Sequence, residues 1–190
     1  MTPFDAAAAQ IRLIQLLRER SARRGRFTLA SGRESDLYVD VKQTSLWPEG
    51  AFLIARLMIA RLNPDIVAVG GPTLGADPIV CAIAPVSHLV GRPLPAFIVR
   101  KEAKGHGTQQ WLEGHGALPA GARVAVLEDT TTTGGSLLKA VLRVREAGLV
   151  VAQCLTVVDR QEGASEALAA EGLTLDALVT RADLFPPGDA

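Results

Sequence analysis

Cysteine is scarce: Cys81 and Cys154 are the only two in 190 residues. Both lie in apolar segments that read as buried, so they are expected to be packed thiols. A disulfide, a metal pair or a cysteine nucleophile is not expected. A net charge is missing as well, because 20 basic side chains offset 20 acidic ones. Such balance speaks against a non-specific nucleic-acid binder. No apolar run reaches the roughly 18–20 residues of a membrane span. The opening Met1-Thr2-Pro3-Phe4-Asp5 lacks the basic-then-apolar layout of a secretory signal. Together these absences lead to the expectation of a cytoplasmic protein with no membrane or nucleic-acid partner. Internal repeats and linker composition are also lacking. With 48% of the residues apolar, one domain with a sizeable core is expected.

What is present concentrates in one stretch, Val124-Ala125-Val126-Leu127-Glu128-Asp129-Thr130-Thr131-Thr132-Thr133-Gly134-Gly135-Ser136. Four apolar residues read as a buried strand with two carboxylates at its end. A hydroxyl- and glycine-rich turn then leads into a helix beginning at Ser136. Such a turn offers unpaired N–H groups and the positive end of a helix dipole, which suits a phosphate. The acids would repel a phosphate beside them. Ionised carboxylates only accept hydrogen bonds, so the two vicinal hydroxyls of a ribose are their natural partners. A sugar diol and a phosphate on one turn describe a phosphoribosyl site. The turn is not a Walker A loop, since no Gly-Lys-Ser/Thr follows, and the Gly-x-Gly-x-x-Gly spacing of a dinucleotide fingerprint is absent.

The remaining pattern places an amphipathic helix over residues 5–20, using Ile11, Leu13, Ile14, Leu16 and Leu17. Two short strands, residues 27–32 and 38–41, form a hairpin. Pro48 opens a helix to about residue 62. Strands follow at residues 66–69, 96–100, 124–127, 150–158 and 175–180, with helices from 78, from 136 and over 164–170. Glycine-rich residues 70–75 read as a turn, and residues 101–121 as a long polar loop. Strands that alternate with helices and are apolar throughout imply a mostly parallel sheet covered on both faces. Ligands bind such sheets beyond the carboxyl ends of the strands. Arg100-Lys101-Glu102-Ala103-Lys104-Gly105-His106-Gly107 lies at one such end. Its cations suit neutralisation of a diphosphate leaving group, and His106 a proton or a charged hydrogen bond.

The 124–136 segment resembles the phosphoribosyl-diphosphate (PRPP) motif of the type I phosphoribosyltransferases. The Arg100–Gly107 loop is similar to the catalytic loop of one branch, the orotate phosphoribosyltransferases. Phe27-Thr28-Leu29-Ala30-Ser31-Gly32-Arg33-Glu34-Ser35 looks like that branch's N-terminal segment, and Val158-Asp159-Arg160-Gln161-Glu162 like its Asp-Arg-Gln-Glu turn. The four segments occur in the family's order and span nearly the whole chain. The resemblance implies the type I phosphoribosyltransferase fold, with about residues 1–45 as a hood that helps bind the base and about 46–183 as the core sheet. It implies transfer of the PRPP phosphoribosyl group to orotate in pyrimidine biosynthesis, with Mg²⁺ held mainly by substrate and water.

Carried over by residue, Glu128 and Asp129 take the ribose hydroxyls. Thr130, Thr131, Thr132, Thr133, Gly134, Gly135 and Ser136 line the PRPP site, as do Gly71, Pro72 and Thr73 on the diphosphate side. Arg100, Lys101, Lys104 and His106 close on diphosphate. Lys104, His106 and Asp129 carry the catalytic roles. Arg160, Tyr38 and Thr132 face orotate. The loop at 100–107 completes the partner's site, which implies a homodimer. From the residues alone, Arg160 reads as a surface arginine beside Asp159 and Glu162, and Tyr38 as a core aromatic of the hairpin. Two family lysines are missing, at Ala30 and in the 70–77 turn; Lys42 is the nearest replacement in sequence for the first. Rival readings are a phosphoribosyltransferase for a purine or uracil, in which Arg160 would be idle, and a PRPP-sensing regulator, which would need a basic face or an added DNA-binding module.

Overall fold

In a computed structural model of the chain, the structure describes residues 4–28, 34–102 and 110–186. The Asp5 carboxylate accepts the Ala7 and Ala8 N–H groups at 3.0 Å and starts α1 (Ala6–Arg20). Leu13, Leu16 and Leu17 face the core, while Ile11, expected on the same stripe, is exposed. The hairpin pairs β1 (Ala22–Thr28) with β2 (Glu34–Val39) antiparallel. Its first strand begins five residues before the expected start, at buried Ala22 opposite Val39. Charged Arg23 and Arg24 fit this two-stranded sheet because their side chains reach solvent. Expected residues 29–32 lie outside the described ones. Val41 leaves the strand: the Asp40 carboxylate accepts the Lys42 N–H at 3.2 Å and turns the chain into a short helix, α2 (Lys42–Ser45). Proline at the first turn opens α3 (Pro48–Arg61).

The next strand, β3 (Ala68–Pro72), runs through glycines expected to form a turn. Those glycines allow close packing. A Cβ on Gly70 would stand 2.1 Å from the Phe97 ring, and one on Gly71 2.2 Å from the Leu127 carbonyl oxygen. The chain continues through α4 (Asp77–Leu89), β4 (Ala96–Val99), β5 (Leu112–Glu113) and a 3-10 turn at His115–Ala117. The expected 101–121 loop therefore contains a short strand and a 3-10 turn. After it come β6 (Arg123–Thr131), α5 (Gly135–Glu146), β7 (Val150–Asp159), α6 (Ala164–Ala169), β8 (Leu175–Thr180) and α7 (Arg181–Leu184).

The six-stranded sheet has the order β5-β4-β3-β6-β7-β8, parallel except for antiparallel β5 at its edge. Side chains alternate across it. Ala125 and Leu127 pack on one face with Ile54 and Met58 of α3 and Ile79 and Ile83 of α4. Val124 and Val126 pack on the other with Leu137, Val141 and Val144 of α5. Cys154 is buried there, and burial pushes its thiol up to about 12. Cys81 is exposed, against expectation. The core side of α4 is taken by Ile79, Val80 and Ile83, and Cys81 lies off that stripe although its neighbours in sequence are apolar. Among the described residues no helix is long and apolar enough to cross a membrane.

Candidate active site

From β3 the chain crosses to β4 on one side and later returns to β6 on the other. The turns after β3 and β6 therefore flank a switch point, where ligands of open parallel sheets bind. The turn after β3 touches the end of β6: a Cβ on Gly75 would lie 2.5 Å from Asp129 Oδ1.

Glu128 and Asp129 lie within β6, whose ladder to β7 continues to the Thr131–Asp159 pair. The expected end of the strand at Leu127 is therefore corrected, and the alternation of a strand separates the two side chains. Asp129 meets the Gly75 turn. Its Oδ1 accepts the Thr130 N–H at 2.7 Å, and its Oδ2 accepts from Lys42 Nζ at 3.3 Å. Glu128, 4% exposed, takes the Asp129 N–H at 3.2 Å on Oε1, while Oε2 is buried and has no donor among the described residues. Burial first, and then the charge on Asp129, raise Glu128 to about 8. Both causes favour the protonated form of Glu128 over the carboxylate.

Beyond β6, Gly134 adopts φ 79° and caps α5 in a left-handed conformation that costs glycine little. Glu128, Thr130, Thr131, Thr132, Thr133, Gly134, Gly135 and Ser136 enclose a cavity of about 100 Å³ at the N-terminus of α5. Free N–H groups and hydroxyls on a helix N-terminus make this an anion cradle. Ser136 also borders a groove of about 620 Å³ that brings Pro72 and Thr73 together with Arg100 and Lys101. Gly71 is absent from its lining and packs against β6 instead. Trp111, Lys139 and Arg143 also line the groove, and the sequence reading did not single them out. The helical spacing of Lys139 and Arg143 is a usable signal for them. Trp111, stacked 3.7 Å from the Arg143 guanidinium, gave none from within a polar loop.

Arg160 follows β7 and is only 6% exposed, which overturns its reading as a surface arginine. Its Nη2 lies 2.8 Å from Glu162 Oε1, and its backbone N–H donates to the Thr131 carbonyl at 2.9 Å. Tyr38 is exposed on β2 with its ring centroid 5.5 Å from that of Phe27, so it is not a core aromatic. Lys104, Gly105, His106 and Ala30 lie outside the described residues.

The switch-point crevice, with acids on the strand and a Thr/Gly cradle on the helix behind it, is the construction of a type I phosphoribosyltransferase. No protein-family model matches the chain. The orotate phosphoribosyltransferase of Thermosynechococcus vestitus is 50% identical over 183 residues, covering 95% of this chain and 96% of that protein. A crystal structure of the Mycobacterium tuberculosis orotate phosphoribosyltransferase in complex with Fe(III) dicitrate matches with TM-score 0.80 at 46% identity, over 93% of this chain and 99% of that one. The same enzyme in complex with PRPP matches with TM-score 0.75 at 38% identity, over 93% and 92%. The chain belongs to the orotate phosphoribosyltransferase family.

Proposed function

We propose that this chain transfers the phosphoribosyl group of PRPP to N1 of orotate, giving orotidine 5′-monophosphate and diphosphate, with the roles that follow. The observation that carries this reading is the cavity shared by Glu128 and residues 130–136, where β6 runs into the N-terminus of α5. The 5′-phosphate sits on the turn's N–H groups and hydroxyls. The ribose hydroxyls meet Glu128 and Asp129; protonated Glu128 donates to one oxygen, while its free Oε2 accepts from a second group. Pro72, Thr73, Arg100 and Lys101 border the groove on the diphosphate side. The transfer breaks the C1–O bond while positive charge spreads over the ribose ring, so no side-chain nucleophile is required. Positioning, neutralisation of diphosphate and exclusion of water supply the rate.

Among the described residues no group of three or more His, Cys, Asp or Glu converges as a metal cage. Mg²⁺ prefers substrate oxygens and water. The buried acceptors Glu128 Oε2 and Asp77 Oδ1 fit water bound to such an ion. When bound, Mg²⁺ offsets charge on the diphosphate. Arg160 holds the orotate carboxylate, a task suited to a planar guanidinium, and Tyr38 offers a ring face to the pyrimidine. The acceptor is tested with orotate, adenine and uracil in competition. Orotidine 5′-monophosphate is the expected product, and adenine or uracil nucleotide formed at a comparable rate would overturn the assignment.

The 100–107 loop completes the site of the other subunit in a homodimer. This gives a complementation result. Lys104→Ala and Asp129→Ala homodimers should each be nearly inactive. In a mixed dimer the Asp129→Ala chain lends its intact loop to the intact cradle of its partner, restoring one site of two. Half the dimers are mixed after co-refolding, so activity should approach about a quarter of wild type under two-fold symmetry. If mass spectrometry verifies exchange and activity stays at the sum of the mutants, each loop serves its own chain.

A further inference from the structure

Lys42 occupies a position that the proposed reaction has not used. Its Nζ lies 2.9 Å from Asp40 Oδ1 and 3.3 Å from Asp129 Oδ2, so one ammonium bridges the end of the hairpin and the acid at the switch point. Its backbone is well anchored. Val41 and Thr44 are fully buried, Thr44 Oγ1 and Ser21 Oγ are hydrogen-bonded at 2.7 Å, and a Cβ on Gly50 would stand 2.2 Å from the Thr44 carbonyl oxygen. Asp40 is held by the Gln43 side chain at 3.1 Å as well as by Lys42. Asp129 is confined on its other sides by the Thr130 N–H and by Gly75.

We propose that Lys42 is a positioning residue for phosphoribosyl transfer: its ammonium, fixed by Asp40, aims the Asp129 carboxylate at the ribose. The inference rests on the reading of Asp129 as a ribose-site residue. Two carboxylates within hydrogen-bond reach of one ammonium repel each other once it is removed, and a half-buried charge pair is sensitive to losing one partner. Burial lowers the affinity of Lys42 for its proton, but the hydrogen bond it donates to Asp40 and the charges of Asp129 and Asp40 outweigh it. Lys42 therefore stays charged over the working pH range.

The test is a double-mutant cycle on the full chain, using Lys42→Met, Lys42→Arg, Asp129→Asn and the Lys42→Met/Asp129→Asn double variant, with thermal melts for each. Lys42→Met should lower kcat about 10- to 100-fold, the range for losing a hydrogen bond to a charged group, with KM for orotate changed far less. Lys42→Arg should recover most of that loss with no gain in melting temperature over Lys42→Met. In the Asp129→Asn background, Lys42→Met should add less than about threefold, because the group it aims is already disabled. Full turnover in Lys42→Met overturns the proposal. So do independent, multiplying losses, which would mean that Lys42 touches substrate directly. Unchanged turnover in Asp129→Asn alone instead removes the ribose reading beneath it.

Discussion

Arg160→Ala should weaken orotate binding by about 2–5 kcal/mol, roughly 30- to several-thousand-fold in Kd, while PRPP affinity stays within about twofold. The range is that for truncating one partner of a buried charge pair. Arg160 qualifies because it is only 6% exposed, so an ion pair that it makes with the orotate carboxylate is shielded from water. Arg160→Lys should fall between wild type and alanine, since an ammonium keeps the charge and loses the two-pronged geometry. Titration of each substrate by calorimetry decides the matter. Equal weakening of orotate and PRPP would make Arg160 a structural partner of Glu162, with the acceptor held by some other group.

The second large effect is a dependence of stability on pH that belongs to Glu128. Its ordinary value of 4.5 applies to the unfolded chain, while burial and the Asp129 charge raise it to about 8 in the fold. Between those values the folded protein binds the proton and the unfolded chain does not. Stability is therefore lost as pH rises through this window, by about 3–5 kcal/mol at most, and levels off outside it. Glu128→Gln abolishes this contribution. Urea unfolding at pH 5.5, 7 and 8.5 should show the wild type losing stability relative to Glu128→Gln as pH rises. A constant difference between the two proteins would show that Glu128 ionises normally.

Much of the architecture is local in origin and so is legible from the chain. The apolar runs of β6, β7 and β8, and proline at the start of α3, are matched to their elements within a few residues. The cradle belongs to this class, because a turn that ends at a helix N-terminus carries its own N–H groups and dipole. The misread elements depend on distant neighbours. Gly70 and Gly71 look like a turn until the Phe97 ring and the Leu127 carbonyl are placed against them. Cys81 looks buried until the orientation of α4 turns it outward.

The identities of the candidate site's groups can be read in order along the chain: a cationic loop, two acids, a Thr/Gly turn and an arginine after β7. Their electrostatic states cannot. Whether Glu128 carries a proton depends on how much water the sheet and α5 exclude from it. Whether Arg160 is a surface charge or a buried one depends on the chain around the end of β7. The pairing of Lys42 with Asp129, 87 residues apart, exists only because the hairpin's exit folds back onto the switch point. Local propensity and motif spacing act over a few residues and can be read in one dimension. Desolvation and charge pairing act through space, and only the packed chain sets those distances.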